Sequence, residues 1–472
     1  MINYKKLGFK CGIEIHQQLK GRKLFCNCPT EIRKDKPDFT FDRRLRASAG
    51  ESGKVDVAAK YEHEKGKLFS YWGYDDITCL VEMDEEPPSL VNNDALKSTI
   101  QVAKMLNCQI VDKIQFMRKT VVDGSNTSGF QRTALIGLNG FVEVDGRKIR
   151  VPILCLEEEA CQIMKRTKNH DTYNLSRLGI PLIEIATDPD IENPVECMNV
   201  AAKIGMILRS TGACKRGIGS IRQDVNISIK GGTRVEIKGF QDLKSIPKVI
   251  NNEILRHQKI LCSGQKMQKE VRKAESNFTT TFLRPMPGAA RMYPETDIPT
   301  IIPDEFDFEE IETIEEKEKR FKQEYNLNDD YAKIAVKCAD KDDIDIEKYF
   351  KKLDDYKFVV DFFTNIPKEL KKRYSVDVDV LPLAEEIFKN IQLGVIPKGS
   401  IFELLSDYSK TRKLNFEKFQ GINSNELKVV IKDVIKKNTG APIGALMGII
   451  MGKFRGKADG KIVMELLNKY LK

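Results

Sequence analysis

GSIRQDVNISIKGGTRVEIKGFQDL, residues 219–243, is the stretch that best indicates how this 472-residue chain folds. Two runs within it, residues 221–227 and 234–238, alternate apolar and polar side chains, which is the period of a β-strand with one buried face. The glycines Gly231 and Gly232 lie between the two runs. A short glycine-containing link between alternating runs predicts a β-hairpin, and therefore antiparallel sheet.

The polar faces of the two predicted strands carry charged and amide groups. Arg222, Asp224 and Asn226 share one face of the first strand, and Glu236 and Lys238 share one face of the second. Because side-chain direction alternates, these faces coincide only if the loop has an odd number of residues. We predict a three- or five-residue loop with a glycine bulge. Such a face could bind a nucleotide phosphate together with its metal ion.

Acidic side chains also interrupt two other apolar runs. In GIEIH, residues 12–16, alternation places Glu14 and His16 opposite the isoleucines, and in PLIEI, residues 181–185, it isolates Glu184 in the same way. A carboxylate beside an imidazole suits a metal or phosphate site, and a lone glutamate in an apolar strand is costly to bury without a partner. The alternative is that both strands are half-buried and their polar faces are exposed to water.

Three successive acids stand in the motif CLEEEA, which begins at position 155. We interpret them as the start of a helix, where the helix dipole favours negative charge, and we take Glu158 as a further ligand candidate. If Glu158 converges with Glu14, Glu184 and Asp224, these acids need a cation, because two carboxylates ~4 Å apart repel by about 4 kcal/mol at an effective dielectric constant near 20. Oxygen ligands with one imidazole favour Mg²⁺ or Mn²⁺ over zinc.

Several familiar catalytic motifs are absent from the sequence. It has no Walker-type phosphate loop, no dinucleotide-binding glycine fingerprint that opens a helix, and no serine-nucleophile motif. The histidines lie far apart, and none flanks a cysteine as a base. We therefore expect no covalent amidase chemistry in this chain. If its reaction needs ammonia, another subunit must release it. Any ATP must be held through metal and basic side chains on a sheet.

The cysteines include one close pair. Cys26 and Cys28 form half of a structural zinc site, which needs four ligands. No second close pair follows, and only Cys11 and Cys79 lie nearby in the sequence. We therefore treat zinc as an unfavoured alternative.

Length and composition indicate a multidomain globular protein, 41% hydrophobic and 31% charged. It has neither a signal-length apolar N-terminus nor a run of about 20 apolar residues, so we expect a cytoplasmic protein without membrane contact.

The texture of the sequence divides the chain into three regions. Residues 1–298 are rich in glycine and β-branched residues, residues 299–403 show charged helical patterns, and residues 404–472 form a helical tail. The tail carries 14 Lys/Arg against 6 Asp/Glu. This excess indicates either a solvated surface or a contact for nucleic-acid phosphates.

Several long segments resemble one protein family. They are GIEIHQQL at 12–19, LFCNCPTEIR at 24–33, CLVEMDEEPP at 79–88, GFQRTALI at 129–136, CLEEEA at 155–160, RLGIPLIEIATDPDI at 177–191, residues 219–243 and RMYPETDIP at 291–299. Together they resemble the tRNA-dependent amidotransferases, namely their bacterial B-type and archaeal E-type subunits. The HQQL and CLVEMDEEPP forms are more similar to the archaeal E type, which acts in glutamyl-tRNA(Gln) amidotransferase.

The resemblance implies an α+β fold: a cradle-like, glutamine-synthetase-like catalytic domain on antiparallel sheet (1–298), a helical domain (299–403) and a small helical tail that contacts the tRNA elbow (404–472). It implies an ATP-dependent ligase that phosphorylates the γ-carboxylate of Glu-tRNA(Gln). Ammonia from an asparaginase-like amidase partner, the D-type subunit, then displaces the phosphate.

The resemblance also implies roles for individual residues. The metal ligands would be His16, Glu157, Glu158, Glu184 and Asp224, holding Mg²⁺ or Mn²⁺. The catalytic residues would be Glu14, His16, Glu158, Glu184 and Asp224. The ATP-binding residues would be Arg222, Asn226, Glu236, Lys238, Arg291 and Tyr293.

One departure from the family pattern keeps alternatives open. The archaeal E type normally carries a large insertion before RMYPETDIP, and residues 275–283 leave no room for it. The first alternative is the bacterial B-type role, with glutaminase and linker partners and action on Asp-tRNA(Asn) or Glu-tRNA(Gln). The second is a non-catalytic tRNA-binding module.

Overall fold

The structure is a computed structural model that describes residues 2–47, 53, 55, 57–240, 242–286, 292–303, 310–342, 344–421, 424–454 and 460–471. The chain divides into two compact units, Met1–Thr313 and Ile314–Lys472. All strands in the described residues belong to the first unit, and the second unit is helical.

The first unit is built on β-sheet. Its strands are β1 (Lys10–Gln18), β2 (Phe39–Arg43), β3 (Leu68–Gly73), β4 (Gln109–Ile110), β5 (Phe116–Thr120), β6 (Phe130–Val144), β7 (Arg147–Glu158), β8 (Gln162–Arg166), β9 (His170–Asn174), β10 (Pro181–Ala186), β11 (Ile221–Ser228), β12 (Val235–Lys238), β13 (Glu270–Ala274), β14 (Thr280–Pro285) and β15 (Met292–Pro294). Its helices are α1 (Val57–His63), α2 (Asn93–Met105), α3 (Pro194–Ser210) and α4 (Ile246–Cys262).

One large sheet dominates this unit, with strand order β14-β13-β12-β11-β1-β10-β7-β6-β5-β15 and β4 paired to β6. Every pairing is antiparallel except that of β12 with β13. A smaller sheet has the order β2-β3-β9-β8, and aromatic residues of β3 and β9 form its core. The fold is therefore α+β with a mixed sheet, in which the predicted antiparallel pairing prevails.

The central strands bury one face and leave the other polar. Ile13 and Ile15 of β1 and Ile183 and Ile185 of β10 are buried, on the face that α3 covers at β1. The helix α3 begins after Asn193, whose side chain accepts a hydrogen bond from a first-turn backbone N–H group. Both strand predictions, for residues 12–16 and 181–185, are confirmed.

The predicted hairpin is present, but its loop is longer than expected. Asn226 pairs with Glu236, so the two polar faces coincide as the parity argument required. The last pair is Ile227 with Val235, and residues 228–234 separate them. The loop is odd in number but exceeds three or five residues, because Ile229 is buried and the following N–H donates to the Leu7 carbonyl.

The prediction of a helix at CLEEEA is wrong. Glu157 and Glu158 are the last residues of β7, and the Glu159 N–H continues the pairing by donating to the Ile180 carbonyl. A strand places successive side chains on opposite faces, so Glu157 and Glu159 share one face and Glu158 lies on the other, whereas a helix would separate the three acids by about 100° each. This difference decides which of the three reaches the cavity described below.

The second unit contains the helices α5 (Ile314–Glu324), α6 (Asp329–Asp342), α7 (Ile346–Phe350), α8 (Tyr356–Tyr374), α9 (Ala384–Gln392), α10 (Ile401–Thr411), α11 (Ser424–Lys437), α12 (Ile443–Lys453) and α13 (Gly460–Leu471). One core gathers α5 to α10, and a separate core gathers α11 to α13. Residues 438–442 separate α11 from α12.

The divisions in the structure differ from the boundaries set at 298/299 and 403/404. The first unit extends to Thr313, because Ile298 is buried and Ile301 forms a β-bridge to Ile114. The helix α10 spans the second predicted boundary, because Ile401 and Leu404 pack into the first helical core. Among the described residues, every helix is too short or too polar to cross a bilayer.

Candidate active site

Five neighbouring strands, β12-β11-β1-β10-β7, present polar side chains to one cavity of about 1130 Å³. Their opposite face is apolar, so the alternation that buries one face delivers the acids to the other. The charged residues and the histidine that line the cavity are Glu14, His16, Lys119, Asp123, Glu157, Glu159, Glu184, Arg222, Asp224, Arg234, Glu236, Lys238, Asp242 and Arg284.

A first cluster of possible ligands comprises His16, Glu157 and Glu184, whose ligand atoms lie within 4.8 Å of one another. His16 stands directly opposite Glu184 in the β1–β10 pairing, and its Nε2 is 3.9 Å from that carboxylate. Glu157 enters from β7, where it pairs with Leu182 of β10. Three strands that are distant in sequence therefore supply one donor set.

A second cluster comprises Glu14, Asp224 and Glu236, again with ligand atoms within 4.8 Å. Glu14 stands opposite Asp224 in the β1–β11 pairing. Asn226 donates from Nδ2 to the Glu14 carboxylate at 3.0 Å. His16 connects the two clusters, because its Nδ1 is 3.9 Å from Asp224.

The protonation equilibria show how crowded with negative charge the site is. Burial, reinforced by the Glu236 and Glu184 carboxylates, raises the pKa of Glu14 to about 7. Burial and then Glu184 also raise the pKa of Glu157. Burial lowers the pKa of His16, which keeps the imidazole neutral. The buried His16 Nδ1 has no hydrogen-bond partner within the described residues.

Two lysines offset part of this charge. Lys119 of β5 forms an ion pair with Glu157 and lies 3.8 Å from Glu184. The Lys238 Nζ is 2.5 Å from both Asp224 and Glu236. Burial alone would raise the pKa of Asp224, but the Lys238 ammonium lowers it below its ordinary value. Each acidic cluster thus already contains one tethered cation.

Arg222 is held by a buried carboxylate. The two Nη atoms of Arg222 donate to the Glu159 oxygens at 2.5 and 2.9 Å. The Glu159 side chain is almost fully buried and also accepts from Gln18. This bidentate pair fixes the plane of the guanidinium at the cavity wall.

The donor set fits a hard divalent cation. Both clusters offer carboxylate oxygens, and the first adds a neutral imidazole. The cavity wall holds eight carboxylates against five Lys/Arg side chains. Such an excess would repel a triphosphate unless further positive charge is bound. Oxygen-rich ligands with one imidazole suit Mg²⁺ or Mn²⁺.

Most residues predicted from the sequence meet here. Those that line the cavity are Glu14, His16, Glu157, Glu184, Arg222, Asp224, Glu236 and Lys238. Asn226 joins them through its hydrogen bond to Glu14. The convergence of acids from distant strands, on which the prediction depended, is therefore present in the fold.

Two predicted residues among those that the structure describes, Glu158 and Tyr293, do not line the cavity. Glu158 points to the other face of β7, where it accepts from the Arg132 backbone N–H at 2.9 Å and lines a separate small pocket. Tyr293 packs against Phe130 and does not line the cavity. Arg291 lies outside the described residues. The next residue, Glu159, lies on the cavity side instead, because successive side chains of a strand point to opposite faces.

Sequence reasoning missed other lining residues, among them Lys119, Glu159, Arg234 and Arg284. Glu159 could have been found by treating CLEEEA as a strand, because Glu157 and Glu159 would then share a face. Arg234 could have been found by extending the alternation of Glu236 and Lys238 one step backwards. Lys119 carries no local signal, because its place depends on where β5 pairs.

A separate cluster of donors gathers at Cys26, Cys28, Cys79 and Glu82, whose ligand atoms lie within 4.8 Å of one another. The Cys26 thiol donates to Glu82 at 2.9 Å, and Lys23 lies 3.5 Å from the same carboxylate. Three thiols and one carboxylate match the donor types of a tetrahedral zinc site. Zinc was unfavoured because only two ligands were evident, and the fold now supplies two more.

Comparison with known proteins identifies the family to which the chain belongs. Residues 9–309 match the family model described as the GatB/GatE catalytic domain. This chain belongs to the GatB/GatE family. The matched residues include every strand of the large sheet and the whole cavity, so the family's domain coincides with the site.

Within the GatB/GatE family, the chain is similar to proteins named as the E subunit of glutamyl-tRNA(Gln) amidotransferase. It is 36% identical to the one from Methanocaldococcus jannaschii, over 93% of each chain. It is 54% identical to the Archaeoglobus fulgidus protein over 60% of this chain and 46% of the relative. It is 49% identical to the Thermococcus sibiricus protein over 58% and 43% respectively.

The alignment also bears on the missing insertion. The M. jannaschii alignment runs over 588 positions, more than the 472 residues of this chain. The relative therefore contains segments that this chain lacks. The resemblance predicted from the motifs is confirmed, and the relatives carry the name of the E type.

Proposed function

We propose that this chain is the E-type subunit of a tRNA-dependent amidotransferase, which uses ATP to convert Glu-tRNA(Gln) into Gln-tRNA(Gln). The names of its relatives support this assignment. The observation that carries it is the meeting of two donor clusters, His16/Glu157/Glu184 and Glu14/Asp224/Glu236, on one face of the sheet. A pure tRNA-binding module has no need for such a costly concentration of buried acids.

The first chemical step is a kinase reaction. A γ-carboxylate oxygen of the esterified glutamate attacks the γ-phosphorus of ATP, and ADP leaves. Mg²⁺ bound to the two clusters would neutralise the phosphate oxygens and the developing charge. His16, kept neutral by burial, would serve as a metal ligand, and Arg222, held in place by Glu159, would add positive charge beside the phosphates.

The second step is amidation. Ammonia attacks the acyl carbon, inorganic phosphate leaves, and the attacking nitrogen loses a proton. A carboxylate is a poor acyl donor and an acyl phosphate is a good one, which is why ATP is needed. The acyl phosphate also hydrolyses readily, so the cavity must exclude water while it forms.

The partners and the shape follow from the same proposal. No serine or cysteine nucleophile motif is present in the sequence, so an asparaginase-like amidase partner would release the ammonia. The large sheet and its cavity would form the glutamine-synthetase-like cradle. The basic tail would hold the tRNA by its backbone and shape.

The decisive test is ATP cleavage that depends on Glu-tRNA(Gln). The purified chain, with its co-purified amidase, should release phosphate from [γ-³²P]ATP only when charged tRNA is present. Glu184→Gln or Asp224→Asn should reduce this rate by about 100-fold or more while leaving tRNA affinity nearly intact. Glu143→Gln serves as a matched control, because Glu143 is an exposed acid on β6 that does not line the cavity.

The outcomes separate the alternatives. ATP cleavage without any need for charged tRNA, or full activity in both cavity variants, contradicts the proposal. A chain that binds tRNA but never cleaves ATP is the non-catalytic module. Co-purification with a glutaminase and a linker protein, in place of an asparaginase-like protein, assigns the bacterial B-type role.

A further inference from the structure

The cations at the centre of the cavity already have carboxylate partners. Arg222 is engaged by Glu159 through both Nη atoms. Lys238 lies 2.5 Å from two carboxylates, and Lys119 is paired with Glu157. A phosphate that enters this region must compete with those partners for each cation.

Two further cavity residues differ from these. Arg234 and Arg284 line the same cavity, and neither forms an ion pair with any carboxylate in the described part of the chain. The Arg234 guanidinium instead contacts the sulfur of Met286, at 3.0 and 3.2 Å. Their charge is therefore available to a ligand.

The backbone explains why both arginines reach the cavity. Arg234 immediately precedes β12, and alternation places it on the same face as Glu236 and Lys238. Arg284 of β14 pairs with Val271, which in turn pairs with Glu236. The two arginines therefore stand beside the second acidic cluster, towards the β14 edge of the sheet.

We propose that Arg234 and Arg284 form an anion subsite that binds phosphate groups extending from the acidic clusters. Guanidinium groups form strong charge-assisted hydrogen bonds to phosphate oxygens, and bidentate geometry adds specificity. The inference deepens the proposed function and rests on it for the identity of the ligand. Two sources share this chemistry: the triphosphate of ATP and the phosphodiesters of the tRNA acceptor end.

The experiment measures binding to two probes separately. The full-length chain carries Arg234→Gln, Arg284→Gln or both, and Lys10→Gln is the control, since Lys10 is an exposed cation of β1 outside the cavity. One probe is a magnesium complex of a non-hydrolysable ATP analogue, followed by calorimetry. The other is unmodified tRNA(Gln) transcript, titrated at several salt concentrations. Fluorescence of the single tryptophan, Trp72, monitors that each variant is folded.

We expect the affinity for one probe to fall about tenfold for each arginine removed. Loss confined to the nucleotide assigns the subsite to the triphosphate. Loss confined to tRNA, with the salt slope reduced by about one for each arginine, assigns it to the RNA backbone.

Two results overturn the proposal. The first is a folded double variant that binds both probes within about threefold of wild type. The second is a Lys10→Gln variant that loses as much affinity as either arginine variant, because the effect would then be one of general charge. If the arginine variants lose binding but the wild-type chain never cleaves ATP, the subsite is confirmed and the proposed function is wrong.

Discussion

Replacing Glu159 by glutamine tests how much one buried charge stabilises the cavity wall. Glu159 is 2% exposed and accepts two hydrogen bonds from Arg222. Burial alone would raise the pKa of Glu159, but Arg222 and Arg177 lower it to about 2. The difference from an ordinary glutamate corresponds to about 3 kcal/mol of folding free energy. We reduce this to about 2 kcal/mol, because 36% of the Arg222 side chain is exposed.

The sign of the pH dependence follows from the lowered pKa. The folded state holds the carboxylate charged more strongly than the unfolded state does, so the stabilisation is complete above about pH 4.5 and is lost as the pH falls towards 2. Glu159→Gln should therefore unfold about 2 kcal/mol more easily than wild type near neutral pH. The difference should shrink as the pH approaches 2.

Urea unfolding followed by Trp72 fluorescence is the assay. Trp72 is the single tryptophan and lies in β3, so its signal reports on the first unit. Glu143→Gln, an exposed change on β6, should leave the free energy of unfolding within about 0.5 kcal/mol of wild type. The reasoning is refuted if Glu159→Gln is as stable as wild type at neutral pH, or if its deficit is the same at every pH.

Three further predictions concern ligands. Because burial raises the pKa of Glu14 to about 7, protons should compete with Mn²⁺ for this carboxylate. The Mn²⁺ affinity measured by electron paramagnetic resonance should therefore rise as the pH passes upward through 7, and Glu14→Gln should remove this pH dependence. A Mn²⁺ affinity of the wild type that is independent of pH would contradict the prediction. Metal analysis of the purified chain should find about one zinc per molecule at the Cys26/Cys28/Cys79/Glu82 cluster. Cys79→Ser should lose it while the exposed Cys262→Ser retains it, and zinc-free wild type would refute the site. Truncation after Gly421 removes α11 to α13 but spares the core that contains Leu404. This truncation should weaken tRNA binding and flatten the salt dependence of the affinity. Unchanged binding would show that α11 to α13 do not hold the tRNA.

The sequence was informative wherever the period of two was unbroken. Residues 12–16 and 181–185 alternate cleanly, so Glu14, His16 and Glu184 were assigned to the correct face without knowledge of their neighbours. The coincidence of the two polar faces of the hairpin was predictable for the same reason, because the parity of its loop depends only on alternation. Its loop length was wrong because the loop's burial depends on the N-terminal segment, which is distant in sequence.

The predictions failed where one local pattern suits two structures, or where the position of a residue depends on strands or loops that are distant in sequence. Three adjacent acids suit a helix start as well as a strand end, and choosing the helix selected Glu158 where the strand presents Glu159. Lys119 reaches the cavity through the position of β5 in the sheet, which no local pattern encodes. Cys79 joins Cys26 for the same reason, because a metal-ligand set assembled from separate loops has no fixed spacing.

The position of β1 in the sheet has a consequence for biosynthesis. This strand is translated well before both of its partners, β10 and β11, which begin only at Pro181 and Ile221. Until then a segment containing Ile13 and Ile15 exposes two unpaired edges, a state prone to aggregation. The five strands β12-β11-β1-β10-β7 that line the cavity can all pair only after translation has passed β12.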